Sequence, residues 1–219
     1  RNVTDQQGER GRDFHRAYSG KAAAFEIADG RDFAFGKTRV SFSPALWHGK
    51  EGTVQGYVVG TCVDDGGEKV VHASDVQLLN DGCVDWMLAQ RPELAIVAGP
   101  PIFDTERVRD AEMDLSLGLL RRLAKGVPNV ILDHHLLRSA DWRSYLQAAG
   151  DLGDGVHCAA EGQGVPVLGY EARRQGLYEQ EKVDEEFHQD LERGRMPNRL
   201  RSVVEEAGMR EVYKAALGW

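Results

Sequence analysis

Cysteine is scarce in this chain: three in 219 residues, Cys62, Cys83 and Cys158, with no C-x-x-C pair among them. An odd number of widely spaced thiols makes neither a disulfide framework nor a zinc ribbon, and fits reduced cytoplasmic thiols buried as small hydrophobes. Long apolar runs are missing too. No stretch approaches the ~20 residues that cross a bilayer, and no basic-then-apolar leader opens the sequence, so a soluble, cytoplasmic protein with no membrane partner is expected. Positive charge is in deficit: 27 Lys and Arg stand against 35 Asp and Glu, a formal net charge of -8. Whole-molecule attraction to nucleic acid or anionic lipid is therefore unsupported, although a local basic groove is compatible with that average.

What is present, 42% hydrophobic and 28% charged residues, suits one or at most two globular domains with a real core. The first residue is Arg1 rather than Met, in a polar stretch that reads as the interior of something, so a processed or partial polypeptide is expected.

Thr4-Asp5-Gln6-Gln7 has the capping-box pattern and predicts a helix from Asp5 to Tyr18 that Gly20 stops. Residues 22–27, 32–35 and 38–42 are short β-prone runs separated by Ala28-Asp29-Gly30 and Gly36-Lys37; Val54 to Val63 and Lys69 to Ala73 form another pair around Asp64-Asp65-Gly66-Gly67. The first third thus predicts an antiparallel meander. After Asp75 the rhythm changes to a helix near Asp81 to Gln90, a strand Leu94 to Ala98, a long helix near Asp104 to Lys125 and a strand Asn129 to Asp133. Such alternation implies crossover connections and parallel strands. Further helices are expected at Ala140 to Ala149, Glu171 to His188 and Pro197 to Leu217. The fold class is mixed α/β.

Three places put a His or Asp where a predicted strand runs out: His48, Asp75 and the cluster Asp133-His134-His135. Strand ends converge at one edge of a sheet, the edge where open α/β sheets bind ligands. Imidazoles and a carboxylate are what a borderline metal such as zinc takes, and a carboxylate has two oxygens with which to bridge two ions. Taken singly each signal has an ordinary alternative. A lone His such as His48 is more often a surface or hydrogen-bonded residue, and Ser74 or Asp75 could simply cap a turn. Period-two alternation lets only one of His134 and His135 face a given site; His72, three residues before Asp75, could donate a hydrogen bond to a ligand or phosphate, whereas the same alternation turns it toward the opposite face. Asp133 is placed to orient a ligand imidazole, and Arg138, one helical turn on, to meet a substrate phosphate or carboxylate, with an exposed cation as the plain alternative.

Arg39-Val40-Ser41-Phe42-Ser43-Pro44 through His48, Gly56-Tyr57-Val58-Val59 and Val70-Val71-His72-Ala73-Ser74-Asp75 resemble the middle of metallo-β-lactamase-fold hydrolases. Val71 to Gln77, Gly99-Pro100-Pro101, Ile131 to Arg138 and Glu171-Ala172-Arg173-Arg174 are closer still to UPF0282, an archaeal family of uncharacterised metallo-β-lactamase-like proteins; the resemblance covers roughly residues 1–180. It implies a four-layer αββα sandwich, incomplete at the N-terminus, over residues 1–182, with a helical extension over 183–219. It also implies a metal-dependent hydrolase in which metal-activated hydroxide is the nucleophile. His48 would be a ligand to one metal, Asp75 the bridging carboxylate and His134 or His135 the last ligand, with His134, first past the strand, preferred. Two zinc ions per full site are implied, Mn²⁺ or Fe²⁺ being the alternatives.

The superfamily's His-x-His-x-Asp-His loop does not occur here; between Arg1 and Arg39 the only histidine is His15, inside a predicted helix. An N-terminal half-domain, on the same or another chain, is the partner this implies, and activity of this segment alone is not expected. The substrate would be a small molecule or phosphodiester, and a homo-oligomer is compatible with the sequence. The competing readings are a nuclease and a non-catalytic assembly protein on an incomplete fold. The charged tail Glu179, Glu181, Lys182, Asp184, Glu185 and Glu186 reads as a solvated helix face, and Leu200, Val203, Val204, Val212 and Leu217 as positions that pack.

Overall fold

The computed structural model describes residues 3–73, 75–106, 108–180, 185–193, 195, 198–206 and 210, in two compact units, Arg1–His157 and Cys158–Trp219. Ser74, Glu181, Lys182, Asp184, Val212 and Leu217, with the side chains of Leu200 and Val203, lie outside the described residues.

In the first unit, helix α1 (Asp5–Tyr18) starts as its capping box dictates: the Thr4 hydroxyl accepts from the Gln7 backbone, and the Gln7 side chain accepts from the Thr4 backbone. A hairpin follows, β1 (Asp32–Phe35) and β2 (Thr38–Phe42), closed by the two-residue turn Gly36-Lys37 with Gly36 at φ +64°. Strand β2 pairs antiparallel with β5 (Thr61–Asp64), and β5 with β6 (Lys69–Ala73). From β6 onward the pairing is parallel: β6 to β7 (Leu94–Val97), and β7 to β8 (Asn129–Leu132). The crossovers are helices α2 (Asp81–Gln90) and α3 (Asp110–Gly126). The order of the seven-stranded sheet is β1-β2-β5-β6-β7-β8-β9, with β9 at Val156–Cys158; β3 (Leu46–Trp47) and β4 (Tyr57–Val58) form a separate antiparallel ribbon. The expected passage from a meander to β-α-β units is what the chain does.

Alternation divides the sheet's residues between its two faces. Val71, Ala73, Ala95, Val97, Val130 and Leu132 are buried, while Val70, Leu94, Ile96 and Ile131 keep partial exposure. Cys83, Val84 and Met87 of α2 and Leu117, Leu119, Leu120 and Leu123 of α3 complete this core. Each fully buried Leu, Val or Met contributes about 1.5–3 kcal/mol by leaving water.

Three expectations shift. Residues 22–27 are irregular rather than a strand. The run Val54 to Val63 splits into β4 and β5 at Gly60, where a Cβ would meet the Trp86 ring at 2.6 Å. Helix α3 starts at Asp110 rather than Asp104, because the Glu112 carboxylate accepts from the Arg109 backbone N–H at 3.2 Å and fixes the first turn there. Two short helices close this part of the chain, α4 (His134–Leu137) and α5 (Trp142–Ala149).

The second unit contains α6 (Ala159–Gly162), α7 (Tyr170–Gln180), α8 (Glu185–Glu192) and α9 (Asn198–Glu206). The helix expected over Glu171 to His188 is described as helical over Tyr170–Gln180 and from Glu185 onward, residues 181–184 lying outside the described residues, and the helix expected from Pro197 is described over Asn198–Glu206. Val204 of α9 is buried.

Candidate metal centre

Strands β6 and β8, which flank β7 and run parallel to it, end at the same sheet edge, so the residues that follow them, Asp75 and the pair His134-His135, arrive together. His48 comes from a different support, the residue after β3 of the ribbon. The ribbon is fixed from several sides. His48 donates its backbone N–H to the Gly56 carbonyl at 3.1 Å, Gln77 donates to the His48 carbonyl at 3.3 Å, and the Cys83 thiol lies 3.5 Å from the Trp47 carbonyl. The Trp47 and Tyr57 rings stack at 4.2 Å. Gly49 leaves room for the buried Gln77 side chain, whose Oε1 a Cβ would meet at 2.6 Å.

Asp75 Oδ1 is the hub of the cluster: His134 Nε2 stands 3.4 Å away, and the Nε2 atoms of His48 and His135 each 3.7 Å. Ligand atoms of His48, Asp75 and His135 all lie within 4.8 Å of one another, so this trio could hold a metal ion. Donors ~2.0–2.1 Å from a tetrahedral zinc are separated by roughly 3.3 Å, so a small inward movement would bring the three to coordination distance.

The donors fit such an ion chemically. Among the described residues, the buried side-chain atoms with no hydrogen-bond partner are His48 Nε2 and His135 Nδ1. A buried nitrogen left unsatisfied costs about 1–3 kcal/mol, a penalty that coordination of the His48 nitrogen would remove. Protonation states agree with this. The facing His48 imidazole, opposed by partial burial and helped by the charges of His135 and His134, holds the Asp75 carboxyl down to about 2. Burial, reinforced by the charges of His134, Arg138 and His48, pushes His135 down to about 3. Near neutral pH the centre therefore offers a carboxylate and a neutral imidazole, the forms that bind metals.

The alternation argument for the histidine pair fails for a physical reason: His134 and His135 lie in the first turn of α4, not in β8. Neighbours on a helix are about 100° apart rather than 180°, so both rings reach the same space, their centroids 4.2 Å apart. His135 is buried and joins the trio; His134, preferred from sequence, is more exposed, faces Asp75 and has Nδ1 3.4 Å from Asp133 Oδ2. Asp133 is thus placed to orient His134. Arg138 ends α4, with its guanidinium 5.9 Å from the centroid of the Phe103 ring. His72 is exposed, between the buried Val71 and Ala73.

Two residues escaped the sequence reading. Gln77 donates its backbone N–H to the His48 carbonyl and so helps hold the ribbon; it closes the Val71 to Gln77 block, but nothing there gave it that role. Gly99, at φ +74°, lets α4 approach so closely that a Cβ would meet Leu136 Cβ at 2.9 Å. The Gly-Pro-Pro sequence that follows a strand was the available signal for it.

The fold and the cluster define a mixed α/β protein with a candidate metal centre. No family model matches the chain. It is similar to the UPF0282 protein of Pyrococcus abyssi, 34% identical over 184 residues, which cover 84% of this chain and 59% of that protein. The UPF0282 protein of Methanopyrus kandleri is 36% identical over 187 residues, covering 84% and 62%. The close homologues are thus archaeal UPF0282 proteins, and the chain spans about three-fifths of the length of those relatives. A solved structure, the E377D mutant of CmlA beta-hydroxylase, aligns at TM-score 0.40 and 12% identity over 64% of this chain and 33% of that one, too slight a likeness to bear on the fold.

Proposed function

We propose that this chain is part of a cytoplasmic, metal-dependent hydrolase of the metallo-β-lactamase type, residues 1–182 belonging to its αββα domain and 183–219 forming an extension. The observation that carries the reading is the buried, unpartnered His48 nitrogen aimed into a cluster of two further imidazoles around one carboxylate.

His48, Asp75 and His135 would hold one zinc ion, and His134, whose Nε2 is 3.4 Å from the same Asp75 Oδ1, would be a further donor, with Asp75 the carboxylate shared by a second ion. When bound, zinc supplies a Lewis acid and lowers the pKa of water to near neutrality. The chain's own groups set the stage for that chemistry. The ionised Asp75 contributes negative charge at the hub, His135 remains neutral, and Asp133 can accept a proton-bearing Nδ1 of His134 so that Nε2 keeps its lone pair toward Asp75. Arg138 is placed to attract an anionic part of the substrate, a small-molecule ester, amide or phosphodiester.

Elemental analysis of the protein purified without chelator tests the reading. About one equivalent or more of a transition metal is expected, lost on Asp75→Ala and His135→Ala while the circular dichroism spectrum is kept. Metal-free protein that also fails to take up added Zn²⁺, Mn²⁺ and Fe²⁺ would sink it.

A further inference from the structure

Helix α1 has no buried residue. It contains Gly8 and Gly11, each costing about 1 kcal/mol against Ala, and at 14 residues such a helix is marginal in water without an apolar face to bury. Its attachment is at one end only among the described contacts: the Gln7 side-chain amide donates to the Tyr57 carbonyl at 2.6 Å and its oxygen accepts from the Tyr57 N–H at 3.4 Å. That contact is tight, since a Cβ on Gly56 would meet Gln7 Oε1 at 2.4 Å.

The other end carries an aromatic cluster facing water. Phe14 lies 4.8 Å from Tyr18 and 5.9 Å from Phe25, and His15 lies 5.0 Å from Phe25. Phe14 is 59% exposed, Tyr18 47%, Phe25 38% and Ile27 73%. Single exposed apolar residues are ordinary, whereas a contiguous aromatic group preassembled at the surface marks an interface.

The relatives say what length of chain is available to cover it. The Pyrococcus abyssi protein has about two-fifths of its length outside the part this chain spans. We infer that the apolar surface formed by Phe14 and Tyr18 of α1 with Phe25 and Ile27 of the irregular segment that follows it is the seat of the polypeptide that those relatives carry beyond the shared region, on the same or a separate chain. Helix α1 is anchored on β4 through Gln7, and β3 beside β4 leads to His48, so the helix connects this face to the ribbon from which His48 extends. This rests on the reading above in one respect, that further metal donors come from outside these residues.

Labelling kinetics test it, because Cys62, Cys83 and Cys158 are all buried. Phe14→Cys puts a reactive thiol in the cluster, and Arg16→Cys puts one on another side of the helix. Each variant is made in this chain and in a fusion of this chain to the remaining segment of the Pyrococcus abyssi relative. Labelling by a maleimide is expected to be at least tenfold slower in the fusion at position 14 and unchanged at position 16. Equal rates at position 14 in a fusion that melts cooperatively overturn the inference. So does labelling in this chain alone that slows as protein concentration rises, since a second copy then occupies the face.

Melting curves provide an arm that needs no new thiol. Phe14→Asp should shift the melting temperature of this chain by no more than ~1 °C, as befits an uncovered site; a loss of ~5 °C or more would show that the chain itself already covers Phe14 and would overturn the inference. Metal content is read separately on the same samples. Protection at position 14 without metal would sink the hydrolase reading alone, and metal without protection would sink the docking surface alone.

Discussion

The candidate metal centre stands on two unlike supports. Asp75 and the histidine pair extend from β6 and β8, whose inward residues Val71, Ala73, Val130 and Leu132 are buried. His48 extends from a ribbon of two-residue strands, held by Gln77, Cys83 and a ring stack whose members are only part-buried. A two-stranded ribbon has little stability of its own, so the position of His48 depends on side-chain contacts, whereas the sheet-end donors are set by backbone pairing. Rigid parallel strands fix two of the elements that meet at the centre, and a satellite supplies the third.

Four measurements would break or sharpen that contrast. The largest effect should come from Asp75→Ala, which removes the oxygen shared by three imidazoles and is expected to weaken zinc binding by a hundredfold or more in competition titrations, on the order of the largest losses from outer contacts or beyond. His48→Ala should cost less, since Asp75, His134 and His135 remain; the opposite ranking would make the ribbon, not the sheet edge, the principal support. Next in size, Leu132→Ala should lower unfolding free energy by about 3 kcal/mol in urea, as a fully buried leucine does, while Trp47→Ala, in the ribbon, should cost about 1 kcal/mol and act mainly on zinc affinity.

The pH dependence of the metal-free protein comes third. His135 titrates near 6.5 when unfolded and at about 3 when folded, so the unfolded chain binds the extra proton between those values. Stability should therefore fall as pH drops from about 6.5 toward 3, and Asp75 should add a further loss from about 3.8 toward 2. His135→Gln should flatten the upper part of that slope in urea titrations; an unchanged slope would mean the imidazole is not buried as described. The smallest effect belongs to Gln77→Ala, which keeps the backbone bond to His48 and loses only the 3.4 Å side-chain bond to Gln55 with some buried volume; zinc affinity should fall by less than about tenfold, with little change in melting temperature.

Much of this was readable from residues. The capping box located α1, the turn glycines located the β1–β2 hairpin, and apolar runs between turns located β6 and β7. Asp75 and the pair His134-His135 come together because β6 and β8 end at one edge of the parallel part of the sheet, and His48 joins them from the separate ribbon, which strand ends alone did not dictate. Where the reading failed, tertiary contact decided. Residues 22–27 have strand-like composition but no strand pairs with them, Gly60 breaks a long β-prone run because the Trp86 ring presses on it, and the histidine pair belongs to a helix turn that four residues of sequence do not announce. Gln77 was invisible because its role lies in a backbone bond to a residue 29 positions away.

Gly99 acts as a gauge. Its missing side chain sets how far α4 may settle against the loop after β7, where Leu136 donates its N–H to the Ala98 carbonyl at 3.0 Å. His135 precedes Leu136 in that turn, so the spacing between its ring and Asp75 is calibrated by the absence of a single methyl group at position 99. The donor spacing of the candidate site can thus be changed from a position bearing no donor atom at all.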